Sequence, residues 1–277
     1  LTPAAAQGIP HDGSGDAHRN VVSRSGSFDV PALRRWIVVP VLITGLVFAA
    51  GMVLRNDMFL STSDLGIVQD VGKHHSVIGD ALALTIHDGL AGWSAGLFLL
   101  VVGLIIVILT RSTVDALLVG VLTTGGWAST LAMRFAVGRA RPDPGLLSDP
   151  LVPATAGLTS FPSGPTAFAV SFGIAVSLVS LGTHWQGLVI AAAAVFAFTA
   201  GASQVYLGVH YPSDVIASYA LSVAAAVFLT GLLSRYGRCL RSRETHGAPA
   251  LVQTAGHSGG PDGSPGAAGT LRGQGRR

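Results

Sequence analysis

The chain has 277 residues, 49% hydrophobic and only 11% charged, with a strongly positive mean hydropathy, a balance that excludes an ordinary soluble domain and points to several membrane spans. Its net charge of +3 does not indicate a nucleic-acid partner, because the basic residues do not gather with aromatics on one polar domain. A single cysteine, Cys239, excludes an internal disulfide and a cysteine-based zinc site.

Residues 1–33 are rich in Gly, Ser, Pro, Asp and Arg without an apolar run, which predicts a disordered tail and not a secretory leader. A helix rises about 1.5 Å per residue and a bilayer core is about 30 Å thick, so each crossing needs about 20 apolar residues. Six segments meet that length: 36–54, 91–110, 114–133, 164–182, 186–203 and 213–233. Between the first two lie a polar stretch, 55–75, and then "VIGDALALTIHDGL" (77–90), whose mixed pattern predicts a short interfacial helix. The fold class expected is all-α, a polytopic membrane protein with six transmembrane helices in a domain spanning 34–236. Residues 237–277, with "SGGPDGSPGAAG", predict a second disordered tail. Arg greatly outnumbers Lys and Ala and Gly are abundant, a composition that fits a GC-rich bacterial genome.

The basic residues set an expected orientation. With both termini cytoplasmic, twelve of the seventeen Arg and Lys residues fall inside. The five outside are Arg55, Lys73, Arg134, Arg139 and Arg141, three of them crowded into one eight-residue stretch. A tight outward cluster against the usual bias calls for an anion.

Three chemical stretches share that outer side. "RFAVGRARP" (134–142) places Arg134 and Arg141 seven apart, on one face if the helix continues to Pro142. Guanidinium groups suit bidentate capture of phosphate oxygens, although arginines at a helix end also reach for lipid headgroups. "FPSG" (161–164) opens the fourth span with Ser163 and Gly164, where unpaired helix-start amides and the helix dipole favour an anion; a plain serine N-cap followed by proline is the simpler account of the same residues. "SQVYLGVHYPSD" (203–214) sets His210 and Asp214 four apart, so the carboxylate can hold one ring nitrogen and present the other to a substrate. An interfacial histidine, with Asp214 complementing a helix N-terminus, reads equally from that stretch alone.

Taken together, these residues resemble the type 2 phosphatidic acid phosphatase family, which shares its site with vanadium haloperoxidases and is typically a six-helix membrane protein. The family signature is Lys, six residues, Arg-Pro; then Pro-Ser-Gly-His; then Ser-Arg, five residues, His, three residues, Asp. Here Arg134 to Arg141-Pro142, Pro162-Ser163-Gly164-Pro165, and Ser203-Gln204 to His210 to Asp214 keep every interval. The resemblance implies a two-step phosphoryl transfer in which His210 attacks phosphorus to give a phosphohistidine and Asp214 orients it. It implies that Arg134, Arg141, Ser163, Gly164 and Gln204 occupy the positions that bind the phosphoryl oxygens. It implies no metal and no other cofactor, and as substrate a lipid or prenyl phosphate or diphosphate held in the bilayer, met on the extracytoplasmic face of a bacterial plasma membrane.

Three positions depart from the signature. Arg for Lys at 134 keeps the charge, Gln204 loses the charge of the expected Arg, and Pro165 replaces the histidine that protonates the leaving oxygen. A missing general acid costs about 10²- to 10⁴-fold. The loss matters most for a basic alkoxide and least for a phosphate leaving group, whose second pKa is about 6. The expectation is therefore a phosphatase that favours diphosphates over monoesters, or alternatively a family member that binds phosphorylated lipids without turnover. His74, His75 and His87 lie on the same side and are the side chains able to carry a relocated proton, although outer-loop histidines are more often interfacial. A transporter is disfavoured because the ionisable residues gather at one end and not at mid-membrane. A peroxidase is disfavoured because its oxyanion cage would want the missing groups.

Overall fold

The structure, a computed structural model, describes residues 34–153 and 159–247. The predicted tails therefore lie outside the described residues, apart from 237–247. In chain order the helices are α1 (Val38–Asn56), α2 (Met58–Gly72), α3 (Val77–Gly89), α4 (Gly92–Thr110), α5 (Thr113–Val137), α6 (Gly164–Ser180), α7 (Gln186–Tyr206) and α8 (Pro212–Gly247), with a 3-10 turn at Pro144–Leu146. Helices α1, α4, α5, α7 and the Pro212–Tyr236 part of α8 are long and apolar enough to cross a membrane, and α6 is the shorter sixth. The expected all-α, six-span membrane architecture is met, each span lying close to its predicted position.

Surroundings explain the differences between the spans. Helix α6 is packed between α5 and α7 and buries residues around its circumference, Ala167, Phe168, Ala169 and Val170 in succession. Protein, not lipid, is its solvent. Helix α4 does the opposite, presenting Leu97, Leu100, Leu104 and Ile108 to the outside, the exterior that a hydrocarbon environment requires.

The stretch 55–75, expected as a polar connection, forms α2. Its start is capped by Asp57, whose carboxylate accepts from the Leu60 N–H at 3.0 Å. Only Asp64 and Val68 of this helix are buried, so it lacks the apolar stripe that makes an amphipathic helix legible. Helix α3 is the expected short helix, started by Ser76 accepting from the Gly79 N–H at 3.2 Å.

The end of α5 also differs from expectation. Gly138 takes a left-handed φ of 64°, its N–H bonding back to the Arg134 carbonyl at 2.9 Å, a common helix stop. Arg55 then donates from Nη1 to the Val137 carbonyl at 2.7 Å, satisfying one of the helix's last acceptors. Arg134 and Arg141 thus do not share a helical face: the helix ends between them, and Arg141 lies on the connection to α6. That connection is pinned by an isolated bridge between Ala140 and Thr159 and by the Ser160 N–H donating to the Arg139 carbonyl at 2.8 Å. Below it, Phe161 is buried with Val47, Met133, Val137 and Leu221, joining α1, α5 and α8 under the residues that open α6. Helix α8 is helical to Gly247, past the expected boundary at 236; residues from Arg238 onward form a separate unit.

Candidate active site

The three chemical stretches meet at one end of the bundle, and each pair is joined by a hydrogen bond. Arg134 Nε donates to the Pro162 carbonyl at 3.0 Å, the Ser163 N–H donates to the Asp214 carbonyl at 3.3 Å, and Arg139 Nη1 donates to Asp214 Oδ1 at 2.9 Å. Separations of 28 and 75 residues are closed in this way.

His210 sits on the turn between α7 and α8. The Gln204 carbonyl accepts from both the Val209 N–H at 3.1 Å and the His210 N–H at 3.3 Å, which ends α7 and fixes the backbone of the histidine. The imidazole is fully buried. Its Nδ1 lies 3.6 Å from Asp214 Oδ2, beyond hydrogen-bonding distance, and neither ring nitrogen has a hydrogen-bond partner among the described residues. Asp214, also fully buried, is held from two sides: Oδ1 by Arg139 and Oδ2 by the Tyr211 N–H at 3.0 Å. Burial lowers the pKa of His210 from 6.5 to about 4; the Asp214 carboxylate works against this and the charges of Arg141 and Arg134 add to it. Both arginines therefore act on the same imidazole, which is neutral at pH 7.

This shift ties stability to pH. As pH falls below 6.5 the unfolded chain takes up a proton that the folded imidazole refuses until about pH 4. Stability is lost across that window, by up to about 3 kcal/mol, and is unaffected above it. Thermal unfolding in detergent from pH 4 to 8 checks this: the wild type loses stability relative to His210→Gln as the pH drops, and a constant difference between the two would contradict the assignment.

The expected anion-binding residues surround this histidine. Ser163 is the N-cap of α6 yet makes no capping bond with its side chain; its Oγ is 2.9 Å from Thr166 Oγ1, which donates to it. A Cβ on Gly164 would lie 3.0 Å from Arg134 Nη2 and 3.4 Å from Trp127 Nε1, so guanidinium and indole both lie close against the helix start and a larger residue there would require them to shift. Pro165 follows within the first turn, where its missing N–H deprives the helix of nothing. Burial lowers the Arg141 pKa while the Asp214 charge raises it, which places Arg141 within the field of the same carboxylate. Gln204 is fully buried, donating from Nε2 to Ser203 Oγ at 3.1 Å and holding its Oε1 3.0 Å from His87 Nδ1.

Sequence spacing assigned no role to Arg139, Asp64, Ser213, Tyr211 or Trp127. Arg139 is only 3% exposed. Its fork reaches Ser213 Oγ at 2.7 Å and Asp214 from Nη1, and Asp64 Oδ2 at 2.9 Å from Nη2, while the guanidinium lies 3.9 Å over the Tyr211 ring. Asp64 in turn accepts from the Ser213 N–H at 3.3 Å and from its hydroxyl. One guanidinium thus spans α2 and the start of α8, with the carboxylate beside His210 as one of its ends. The crowding of three arginines was the available signal for Arg139; for Asp64 no local pattern existed.

The three outer histidines separate clearly. His74 Nδ1 is 3.0 Å from the Asp70 carbonyl of its own helix. His75 pairs with Asp80 at 2.8 Å, and Asp80 also accepts from the Tyr206 hydroxyl at 2.7 Å, tying α3 to α7; both bonds hold the Asp80 carboxyl below its usual range, Tyr206 foremost. His75 also packs edge-on against the Tyr206 ring, centroids 4.6 Å apart, whereas His87 hydrogen-bonds Gln204, one of the expected phosphoryl-binding residues. Among the described residues no group of three or more His, Cys, Asp or Glu is placed to hold a metal ion. Beside the site, a groove of about 700 Å³ runs between α2, α3, α7 and α8, lined by Ile67, Leu82, Ile86, Phe198, Val215 and Ile216 and reaching Ser203 and Pro212.

Known proteins are similar to this chain in sequence and in fold. Residues 113–238 match the PAP2 superfamily, a segment running from α5 into α8 and containing all three stretches. The bacitracin transport permease protein BcrC of Bacillus licheniformis is 40% identical over 70 residues, 25% of this chain and 32% of that protein; the match thus spans about a third of the length of this curated relative. The fold is similar to that of a transmembrane PAP2-type phosphatidylglycerolphosphate phosphatase from Bacillus subtilis, with a TM-score of 0.55 and 20% identity over 75% of this chain and 98% of the other. Through residues 113–238, the segment that carries its candidate site, the chain is similar to the PAP2 superfamily.

Proposed function

We propose that the protein is a membrane phosphatase that hydrolyses a lipid or prenyl diphosphate through a phosphohistidine on His210, with its site on the extracytoplasmic face. The observation that carries this is the buried, neutral His210, both ring nitrogens without a hydrogen-bond partner among the described residues, beside a fixed Asp214 and within the field of Arg134 and Arg141. With Nδ1 turned to Asp214, Nε2 has its lone pair available to attack phosphorus. The P–O bond to the leaving group breaks as the N–P bond forms, the electron pair leaving with the departing oxygen. Water then attacks the phosphohistidine: an O–P bond forms as the N–P bond breaks, its electron pair returns to Nε2 to restore the imidazole, and the proton lost by water passes to solvent as phosphate is released. Arg134, Arg141, Ser163, the Gly164 N–H and Gln204 hold the phosphoryl oxygens, countering the charge that develops on them. The apolar groove beside Ser203 accommodates the hydrocarbon tail. The excess of basic residues toward the termini supports cytoplasmic termini and an outward-facing site.

Pro165 sets the substrate preference. It has no proton to give, so an alkoxide leaving group would depart unprotonated at a cost of about 10²- to 10⁴-fold, whereas a phosphate leaving group departs readily as an anion. Purified protein in detergent should release phosphate from a prenyl or lipid diphosphate at least about tenfold faster than from phosphatidic acid; preference for phosphatidic acid would sink the reading. Pro165 and Gln204 together also favour a second reading, a protein that binds phosphorylated lipids without turnover. Saturable lipid binding with no release from any substrate would establish it.

A further inference from the structure

We infer that His87 and Gln204 form a composite phosphate-binding pair, in which the protonated imidazole of His87 supplies the positive charge that the Gln204 amide lacks. The inference rests on the proposed site but concerns binding, and it can be tested without turnover. Gln204 stands six residues before His210, and its carbonyl accepts from the backbone N–H of the histidine. Its side chain is wholly inside the protein, with Nε2 committed to Ser203 Oγ and Oε1 to His87 Nδ1. That carbonyl oxygen can only accept, so His87 Nδ1 carries a proton and donates it. The second ring nitrogen, Nε2, has no hydrogen-bond partner among the described residues. A second proton there makes the ring a cation with a free N–H, beside Gln204, whose neighbour Ser203 lines the apolar groove.

A simple satisfied-amide role, in which His87 only fills the acceptor of a buried Gln, would need no charge. The setting supplies few other titrating groups to interfere. Helix α4, packed against α3, carries none, and α7 carries only Tyr206, already bonded to Asp80. On α3 itself Asp80 is engaged by Tyr206 and His75, and Asp88 is exposed. Across the site the other charged or titratable groups are Arg134, Arg141, Asp214, His210, which is neutral above about pH 4, and Arg139 with Asp64 and Tyr211, which it engages together with Asp214.

The test uses inorganic pyrophosphate as probe and the full chain in detergent, with affinity measured by calorimetry from pH 5.5 to 8.5. His87→Asn keeps a donor for Gln204 but cannot become a cation. The ratio of wild-type to His87→Asn affinity cancels the titration of the probe itself. It should be roughly tenfold or more at the acid end, the worth of a charged hydrogen bond, and fall to about one at the alkaline end. The double variant His87→Ala/Gln204→Arg, with the charge built into position 204, should bind at least as well as His87→Asn at every pH and with less pH dependence than wild type. A ratio that is the same at all pH values, whether one or larger, overturns the inference. If the ratio behaves as expected but no substrate is turned over, the phosphatase reading fails and the binding pair stands. If His210-dependent turnover is found with a flat ratio, the reverse holds.

Discussion

Replacing His210 with alanine is expected to lower phosphate release from a lipid diphosphate by at least about a thousandfold while the protein stays folded. The expectation of a folded variant follows from what the imidazole does not do: among the described residues neither ring nitrogen makes a hydrogen bond, so its removal strands no donor or acceptor there. The lost interactions are the van der Waals contacts of one ring, at the cost of a small cavity. The catalytic loss follows from position: among the described residues His210 is the imidazole placed beside Asp214 and within the field of the two arginines. Rapid quenching of wild type with a diphosphate labelled at its terminal phosphorus should trap an acid-labile, base-stable phosphoenzyme that His210→Ala does not form. Release that survives in the variant would remove the nucleophile from this account. Binding by both proteins without release by either would leave the lipid-binding reading in its place.

The parts of this fold that depend on solvent were legible in the sequence, and those that depend on distant partners were not. Length and apolarity located α1, α4, α5, α7 and α8, because a helix in lipid must be apolar over its whole exposed surface. The convergence of Arg134, Ser163 and His210 could be inferred from parity alone, since alternate span ends fall on one side. Helix α2 was invisible for the converse reason. Its inward residues are Asp64 and Val68, and the aspartate is buried only because Arg139, 75 positions along, comes to meet it. Arg139 was visible as one of three crowded arginines, but motif spacing selected Arg134 and Arg141 and left it without a role. The end of α5 was misplaced because Pro142 was taken as the stop, although the nearer Gly138 carries the left-handed turn that ends the helix.

The second large effect is expected from Arg139. Asp64 is 8% exposed and Asp214 fully buried, and a single guanidinium neutralises both through separate nitrogens, at 2.9 Å each. Arg139→Ala would leave two buried carboxylates without the guanidinium that bonds them both, a change that typically destabilises by about 3–5 kcal/mol, and this variant is expected to unfold well below the wild type. Arg139→Lys separates positioning from stability. An ammonium keeps the charge but lacks the planar fork, so it can hold Asp64 or Asp214 at hydrogen-bonding distance but not both in the present geometry. Its melting temperature should fall less than that of the alanine variant. Its kcat on a diphosphate should drop by roughly ten- to a hundredfold, about 1.4 to 2.8 kcal/mol of barrier, with KM nearly unchanged, because the phosphoryl-binding arginines are untouched while Asp214 loses its fixed hold beside His210. Asp64→Asn should reproduce part of this kcat effect from α2, although that helix contributes no residue to the phosphoryl site. If the lysine variant shows full kcat, the network only supports the fold. If KM rises while kcat holds, Arg139 acts on substrate binding and not through Asp214.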